Sequence, residues 1–177
     1  MRPPETITTS RLVLRKPCLE DAPRIFNEYA QDRDVTKYLL WRPHRSIDDT
    51  KLFLNRCLRN WKGTHEFTWV ITMKDSRDLI GSIALWRELT GAVVGYTLSK
   101  RFWGQGYMSE ALMAVTDWAI NQRDIFRVWA VCDTENTASS RVLEKAGMQR
   151  EGILRRWIVL PNISDEPRDC YCYAKVR

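Results

Sequence analysis

The chain has 177 residues, of which 44% are hydrophobic and 28% charged, and its formal net charge is +6. This length suits one well-buried domain spanning residues 1–177, and the lack of both an apolar run of about 20 residues and an apolar leader predicts a cytoplasmic protein with no membrane partner. The positive charge favours anionic partners, but the basic residues are scattered, which predicts no direct binding of nucleic acid.

The first third of the chain predicts one strand and two helices around a loop. Residues 11–15 alternate between leucine and other side chains, which predicts a strand, and residues 22–29 carry apolar side chains at helical spacing. A polar and aromatic stretch from Lys37 to Arg45 has no period and predicts a loop. Ser46 and Asp49 then resemble a capping box that opens a second helix.

The middle and the end of the chain predict strands and helices of a mixed sheet. Three strands with short connections, Phe67 to Met73, Leu79 to Trp86 and Ala92 to Leu98, indicate an antiparallel meander. The later elements are a helix at 108–119, a buried strand at 125–131, a helix at 138–146 that Gly147 ends, and closing strands at 152–159 and 170–176. Together they predict an α/β (α+β) fold with a mixed, mostly antiparallel sheet of about seven strands and helices on both faces.

The cysteines do not form a recognisable metal motif. There are five of them at irregular spacing, and Cys170 and Cys172 form C-x-C with no second pair to complete a zinc site. We expect reduced, partly buried thiols and no bound metal.

A turn with two glycines follows the third strand of the meander, at Arg101-Phe102-Trp103-Gly104-Gln105-Gly106-Tyr107, and leads into a helix. The start of a helix has up to four unpaired N–H groups and a partial positive charge, and glycine lets the backbone approach a phosphate closely. The segment therefore suits anion binding, with Arg101 adding a charge-assisted hydrogen bond. It does not match the P-loop, because the required Lys and Ser or Thr are missing. A tight turn that uses glycine for geometry alone is the alternative.

Two motifs in this part of the chain resemble a known superfamily. Arg101-x-x-Gly104-x-Gly106 resembles the acyl-CoA diphosphate loop of the GNAT superfamily of N-acetyltransferases, and the segment from Asn136 to Met148 resembles its second CoA-side motif. The resemblance covers nearly the whole chain and is specific for the superfamily rather than for an acceptor. Segments that resemble the branch with ribosomal-protein alanine and serine N-terminal acetyltransferases are residues 9–15, 20–22, 103–107, 144–147 and 151–155.

The resemblance implies an acetyl-CoA-dependent N-acetyltransferase in which the acceptor amine attacks the thioester directly. It also implies that the third strand separates from the next one, so that its backbone bonds the pantetheine arm and the N–H of Leu98 is the candidate oxyanion donor. The cofactor-binding residues implied by the resemblance are Tyr96, Leu98, Arg101, Trp103, Gly104, Gln105, Gly106, Tyr107, Met108, Asn136, Ser139 and Arg141.

Three residues of the second motif have two interpretations each. Asn136 matches the cofactor-contacting asparagine of the family and also suits a helix N-cap. Ser139 lies in the first turn of that helix, where similar enzymes are proposed to protonate the leaving thiolate with a hydroxyl group; the alternative is a solvated serine. Arg141 either reaches a CoA phosphate or lies on the surface.

The general base expected in this branch is missing. Many members carry a glutamate two residues before the Gly-Tyr pair of the third strand, and Val93 stands in that place. Near pH 7.5 roughly a third of α-amines, with a pKa of about 7.7–8.0, are neutral, against about one lysine in a thousand. We therefore expect an α-amine acceptor, such as a protein N-terminus, or proton removal through water. Glu88 and His44 are weaker base candidates that we expect to be exposed.

The acceptor side is the least defined part of the sequence. In similar enzymes the loop from Lys37 to Arg45 borders the acceptor site, so we expect this loop and its Trp41 to shape the acceptor entrance. Small-molecule amines such as a polyamine, an amino acid or an antibiotic are alternative acceptors. A non-catalytic acyl-CoA-binding module is the alternative function, and the valine at 93 is its main support. Both a monomer and a homodimer are compatible with the sequence.

Overall fold

The alternating segments assemble into one eight-stranded sheet in the computed structural model, which describes residues 2–177. The order across the sheet is β1-β2-β3-β4-β5-β6-β8-β7, and β5 with β6 is the one parallel pair within residues 2–177. The predicted mixed, mostly antiparallel sheet is therefore confirmed. The strands are β1 Thr6–Thr8, β2 Leu12–Arg15, β3 Glu66–Met73, β4 Leu79–Arg87, β5 Gly91–Leu98, β6 Arg127–Asp133, β7 Gln149–Val159 and β8 Pro167–Val176.

Five α-helices surround the sheet: α1 Ala22–Ile25, α2 Arg33–Thr36, α3 Ile47–Asn60, α4 Tyr107–Ile120 and α5 Thr137–Lys145. A π-helical turn, Phe26–Ala30, continues α1. The predicted capping box of α3 is confirmed, because the Ser46 hydroxyl accepts from the Asp49 N–H and the Asp49 carboxylate accepts from the Ser46 N–H. Gly147 follows α5 with a φ of +80°, as expected of a glycine that ends a helix. Within residues 2–177, no helix is both long enough and apolar enough to cross a bilayer.

Apolar side chains on the two faces of the sheet form two separate cores. Alternate residues of β3 show the division, because Trp69 and Ile71 join the core beneath α4 and α5, whereas Val70 joins the core beneath α1, α2 and α3. Trp61 and Trp69 are fully buried with their rings edge to face at 5.4 Å. Burial of such a side chain stabilises the fold by roughly 2–3 kcal/mol. Helices on both faces are thus confirmed.

Several elements differ from the sequence prediction, and β7 and β8 each begin three residues before the predicted starts at 152 and 170. β1 raises the number of strands to eight, and its three residues are too few to show an alternation. α2 is a single turn capped by Asp32, whose side chain accepts from the N–H groups of Asp34 and Val35, and it is too short to show a period. β6 begins at Arg127 rather than at Ile125, because the Ile125 N–H bonds the Gln122 carbonyl in the preceding turn.

The five cysteines are free thiols, and four of them, all except Cys18, are buried. Cys170 and Cys172 both lie on β8, two residues apart, so their side chains share one face of the sheet. Burial raises the pKa of the Cys170 thiol to about 11, which keeps it protonated near neutral pH.

Candidate functional site

The glycine turn, residues 101–107, leaves a group of backbone amides without protein partners. Gly104 and Gly106 have φ values of +75° and +81°, in the left-handed region that favours glycine. The first hydrogen bond of α4 runs from the Glu110 N–H to the Gly106 carbonyl, and the N–H groups from Gly106 to Ser109 have no partner within residues 2–177. Four donors at the positive end of a 14-residue helix make an anion-binding arrangement.

Two residues of the turn are used differently from the sequence prediction. The N–H of Trp103 bonds the Lys100 carbonyl at 3.1 Å, because residues 100–102 form a 3-10 turn, so this amide is not available to a phosphate. The guanidinium of Arg101 makes two hydrogen bonds, of 2.9 and 2.8 Å, to the carboxylate of Glu28. The charge-assisted bonds predicted toward a phosphate therefore go to a carboxylate in this structure.

A charged network behind the turn holds the start of α4 against the loop between β1 and β2. Glu110 accepts hydrogen bonds from the hydroxyls of Thr9 at 2.6 Å and Ser10 at 2.9 Å, and from the N–H and Nε of Arg11 at 2.9 and 2.6 Å. Burial alone raises the pKa of Glu110, but these hydrogen bonds outweigh it and lower the pKa to about 2. The carboxylate is therefore charged at any physiological pH.

Arg11 connects this network to the glycine turn itself. Its Nη1 donates to the Gln105 carbonyl at 3.1 Å, and its guanidinium lies over the ring of Tyr107, 4.4 Å from the centroid. The Gly106 N–H belongs to the same trans peptide as this carbonyl and points the opposite way, so the bond from Arg11 fixes the direction of that amide. Sequence reasoning placed Arg11 only in a strand and missed this contact, because Arg11 and Gln105 are 94 residues apart in the chain.

The expected separation of the two central strands is present. β5 pairs with β6 only from Gly91 to Val93, opposite Arg127 to Trp129, although β5 continues to Leu98 and β6 to Asp133. The Ser99 N–H bonds Ile80 on the β4 side, so by alternation the N–H groups of Tyr96 and Leu98 face the gap. The indole N–H of Trp103 covers the Leu98 carbonyl at 2.8 Å. The gap therefore offers backbone donors along β5, as the resemblance implied.

The start of α5 closes one side of this strand gap. The Asn136 side chain accepts from the Ser139 N–H at 3.1 Å, which confirms the N-cap interpretation of this residue. The Ser139 hydroxyl lies 2.8 Å from the Tyr96 hydroxyl on β5, so the two elements meet across the gap. Burial is the largest effect on Tyr96 and raises its pKa, with a smaller opposing contribution from Ser139. Arg141 is exposed and makes no hydrogen bond or ion pair within residues 2–177.

On the opposite face of the sheet, the separation point is bordered by a transverse row of three side chains, which we call the aromatic row: Trp86, Val93 and Trp129. Val93 pairs directly with Trp86 on β4 and with Trp129 on β6, so all three share one face. Trp86 is 38% exposed, and its ring lies 3.0 Å from where a Cβ of Gly95 would stand. The place of the family's glutamate is thus apolar on both sides.

The two weaker base candidates have different environments. Glu88 is exposed, as expected, and its Oε2 accepts from the Trp129 indole N–H at 3.0 Å. His44 is half-buried rather than exposed, because its ring packs 5.0 Å from the Trp41 ring and its Nδ1 lies 2.8 Å from the Thr50 hydroxyl. Burial lowers the pKa of His44, with a smaller opposing effect of Asp49, so its ring is neutral near pH 7.

The loop from Lys37 to Arg45 is tied to the connection between β7 and β8. The Asn162 side chain donates to the carbonyls of Thr36 at 2.7 Å and Trp41 at 2.8 Å, which fixes one end of the loop and its tryptophan. This anchoring agrees with a loop that shapes an entrance, and the role itself stays a prediction.

A buried ion pair at the end of β6 was not found from the sequence. The Asp133 side chain has no exposed surface, and its carboxylate accepts from Arg168 Nε at 2.5 Å and from the Glu135 N–H at 2.9 Å. Burial opposes ionisation of Asp133, but the Arg168 hydrogen bond and the Glu135 N–H outweigh it and lower the pKa. The pair fixes the end of β6 next to the strand gap, and no local pattern connects residues 35 positions apart.

Sequence comparison gives matches along nearly the whole chain. The family described as Acetyltransferase (GNAT) domain matches residues 11–149. The uncharacterized N-acetyltransferase YoaA of Bacillus subtilis is 31% identical over 174 residues, which are 97% of this chain and 96% of that protein. The ribosomal protein uS5-alanine N-acetyltransferase of Escherichia coli is 25% identical over 169 residues, which are 89% of this chain and 85% of that protein.

A solved structure shows the same fold at lower sequence identity. RimL, described as a ribosomal L7/L12 alpha-N-protein acetyltransferase in complex with coenzyme A, has a TM-score of 0.86 and 22% identity, covering 97% of this chain and 98% of its own. The order of strands and helices described above therefore belongs to a fold that this protein shares with a solved structure.

Proposed function

The chain belongs to the GNAT family of acetyltransferases, and from this premise we propose that it acetylates the α-amine at the N-terminus of a protein or peptide. Its donor is acetyl-CoA and its reaction is N-acetyl transfer. The observation that carries the α-amine assignment is Val93 at the separation point of β5 and β6, between two tryptophans, where the side chain itself cannot accept a proton. Such a site suits an amine that is already neutral near pH 7.5.

The cofactor's diphosphate is proposed to bind the free amides at the start of α4. These N–H groups, from Gly106 to Ser109, have no protein partner within residues 2–177, and the bond from Arg11 to the Gln105 carbonyl fixes the direction of the Gly106 N–H. Preorganised amides need no reorganisation when the anion arrives, so the cofactor gains affinity from a loop that is already in place. Arg101 then anchors the turn to Glu28 and contributes positive charge nearby rather than a direct phosphate contact.

The pantetheine arm is proposed to run along β5 inside the strand gap. Leu98 lies at the end of β5 nearest the glycine turn, where the diphosphate is proposed to bind. Because the pantetheine arm separates the thioester from the diphosphate, the thioester carbonyl should lie further along β5 toward Val93 than Leu98 does. We therefore assign the Leu98 N–H to the arm and the Tyr96 N–H to the developing oxyanion. The sequence suggested the Leu98 N–H as the oxyanion donor, and this assignment replaces it with the N–H of Tyr96, two residues earlier on the same edge of β5.

The chemical step needs only groups at the two sides of the gap. The neutral amine nitrogen attacks the thioester carbon, the C–S bond breaks, and the extra amine proton leaves to water. The Ser139 hydroxyl is proposed to give its proton to the departing thiolate as the Tyr96 hydroxyl, 2.8 Å away, passes its own proton to the Ser139 oxygen, and water then returns a proton to Tyr96. Because burial raises the pKa of Tyr96, this phenol keeps its proton for that purpose.

The acceptor assignment is tested by comparing two acceptor amines within one peptide sequence. One peptide has a free N-terminal alanine and no lysine, and the other has an acetylated N-terminus and one internal lysine. We expect CoA release at pH 7.5 with the first peptide and at least a tenfold lower kcat/KM with the second. Equal or faster acetylation of the lysine would contradict the α-amine assignment, while release with neither would point to a different class of amine.

A further inference from the structure

The exposed aromatic surface beside the strand gap is not explained by catalysis of acetyl transfer alone. Helices α1 to α3 pack over β3 and the start of β4, but Trp86 at the far end of β4 remains 38% exposed, and Trp129 beside it is half-buried. A single exposed apolar side chain is ordinary. Here two indoles on either side of a valine border the point where β5 and β6 separate.

Glu88 gives this surface a negative charge that no basic side chain neutralises. Its Oε2 bonds the Trp129 indole N–H, its backbone N–H bonds Gly91, and it has no ion pair within residues 2–177. Arg127, two residues before Trp129 on the same face, is paired with Glu151. Trp129 therefore both supplies a π face and fixes the position of a free carboxylate at its edge.

We propose that Trp86, Trp129 and Glu88 bind a second, positively charged group of the acceptor, an ammonium or guanidinium carried near the amine that is acetylated. Indole faces attract cations through the ring quadrupole, and an anchored carboxylate at the edge of the ring adds charge complementarity. The site deepens the function proposed above and rests on it. It assigns the acceptor to basic peptides or to small molecules that carry two amines.

The geometry also sets how far the two groups of the acceptor lie apart. Val93 is three residues from Tyr96 along β5, which corresponds to about 10 Å at the rise of a strand. An extended peptide rises by about 3.3 Å per residue. The backbone up to the second or third residue, together with the length of that residue's side chain, therefore covers the distance. A basic residue at the second or third position after the acetylated N-terminus therefore reaches the aromatic row.

The test uses acceptors that differ only in this charge. Two peptides begin with alanine and carry either arginine or its neutral isostere citrulline as second residue, and a second pair consists of 1,4-diaminobutane and 1-aminobutane. For the wild-type protein we expect kcat/KM to be about three- to tenfold higher for the arginine peptide than for the citrulline peptide, with unchanged KM for acetyl-CoA. If the protein prefers 1,4-diaminobutane to 1-aminobutane but does not distinguish the two peptides, the charged group belongs to a small diamine.

The variants identify which residues produce the preference. Glu88→Gln should reduce the arginine-to-citrulline ratio at least twofold, and Trp129→Phe should do the same because it removes the N–H that holds Glu88. Asp75→Asn removes an equal charge from an exposed turn at the opposite end of β4 and should leave the ratio unchanged. Equal use of the charged and neutral acceptors by the wild type, or a ratio insensitive to Glu88→Gln, would overturn the proposal while leaving acetylation of the α-amine intact.

Discussion

The two sides of the strand gap are built from different parts of the chain. On the α4 side, the protein offers backbone amides, and it fixes them through five hydrogen bonds made by Arg11, Thr9 and Ser10 to Glu110 and Gln105. On the other side it offers the side chains of the aromatic row, of which Trp86 is exposed and Val93 and Trp129 are half-buried. Backbone amides at a helix start suit a diphosphate whatever side chains surround them, whereas a side-chain surface changes with each substitution. If the proposed sites are correct, use of the donor depends mainly on the backbone and choice of the acceptor on a few side chains.

Replacing Glu110 with glutamine should have the largest effect, because it removes the charge that holds the donor side together. The folded-state pKa of about 2 lies below the ordinary value of 4.5, so the charged carboxylate stabilises the fold fully above pH 4.5, by about 3 kcal/mol. This contribution is lost as pH falls from 4.5 toward 2. Urea unfolding from pH 7 to pH 3 measures it. The variant should be less stable at pH 7, and its free energy of unfolding should fall less steeply between pH 4.5 and pH 3 than that of the wild type. Parallel curves of unfolding free energy against pH for the two proteins would contradict the account.

Ser139→Ala tests the proposed proton donor at the start of α5, where this helix meets β5 across the strand gap. We expect kcat to fall about tenfold to a hundredfold, because the thiolate loses its proton donor, while the Kd for CoA stays near the wild-type value. Ser140→Ala is the matched control on the same helix, since its hydroxyl lies 3.4 Å from the Cys132 sulfur and is given no part in the reaction. A loss of kcat in the Ser140 variant instead of the Ser139 variant would show that the proton donor is assigned to the wrong residue.

Arg11→Ala should act on the donor side alone. Without the bond from Arg11 to the Gln105 carbonyl, the amides lose their fixed direction, and we expect the KM for acetyl-CoA to rise about tenfold with kcat little changed. S-acetyl-pantetheine has no diphosphate, so its turnover should be the same in the variant and the wild type. Arg24→Ala, on the exposed side of α1, is the control. Equal losses with both donors would indicate a general defect of folding rather than a role in the turn.

Trp41→Ala should have the smallest effect and should act on the acceptor side alone. Trp41 packs against His44 in the loop that Asn162 anchors, so its removal should raise the KM for the peptide about threefold to fivefold and leave the KM for acetyl-CoA unchanged. Trp157→Ala, an equally large replacement at a 50% exposed position on the edge strand β7, provides the comparison. A similar rise of both KM values in the Trp41 variant would assign the tryptophan to folding.

The donor side could be predicted from the sequence because its signals are local. Two glycines before an apolar helix stripe indicate a turn into a helix, and Asn136 three residues before Ser139 indicates a cap. The structure has both the turn and the cap at these places, while anion binding at the turn stays a prediction. The partners that complete the site lie far apart in the chain: Arg11 with Gln105, Glu28 with Arg101 and Asp133 with Arg168. No periodicity connects such residues, which is why the network behind the turn and the use of Arg101 were missed.

The acceptor side was harder to predict for a different reason. Trp86 and Trp129 have the same alternation as core strand residues such as Trp69, but Trp69 lies on the face that α4 and α5 cover. Trp86 lies on the other face, beyond the part that α1 to α3 cover, and remains exposed. The half-buried position of His44 likewise depends on the packing of Trp41 and Phe53 against it. Exposure is a property of the assembled layers, so a residue's spacing in one strand does not reveal it.

The central claim, that the amides at the start of α4 bind the cofactor's diphosphate, is tested most directly by amide NMR of the isotope-labelled protein. CoA and pantetheine, which lacks the diphosphate, are added in separate titrations. We predict that the N–H resonances of Gly106, Tyr107, Met108 and Ser109 shift with CoA and stay in place with pantetheine, while those of Tyr96 and Leu98 shift with both. If CoA binds and the resonances from Gly106 to Ser109 do not move, the diphosphate is held elsewhere and the claim is wrong.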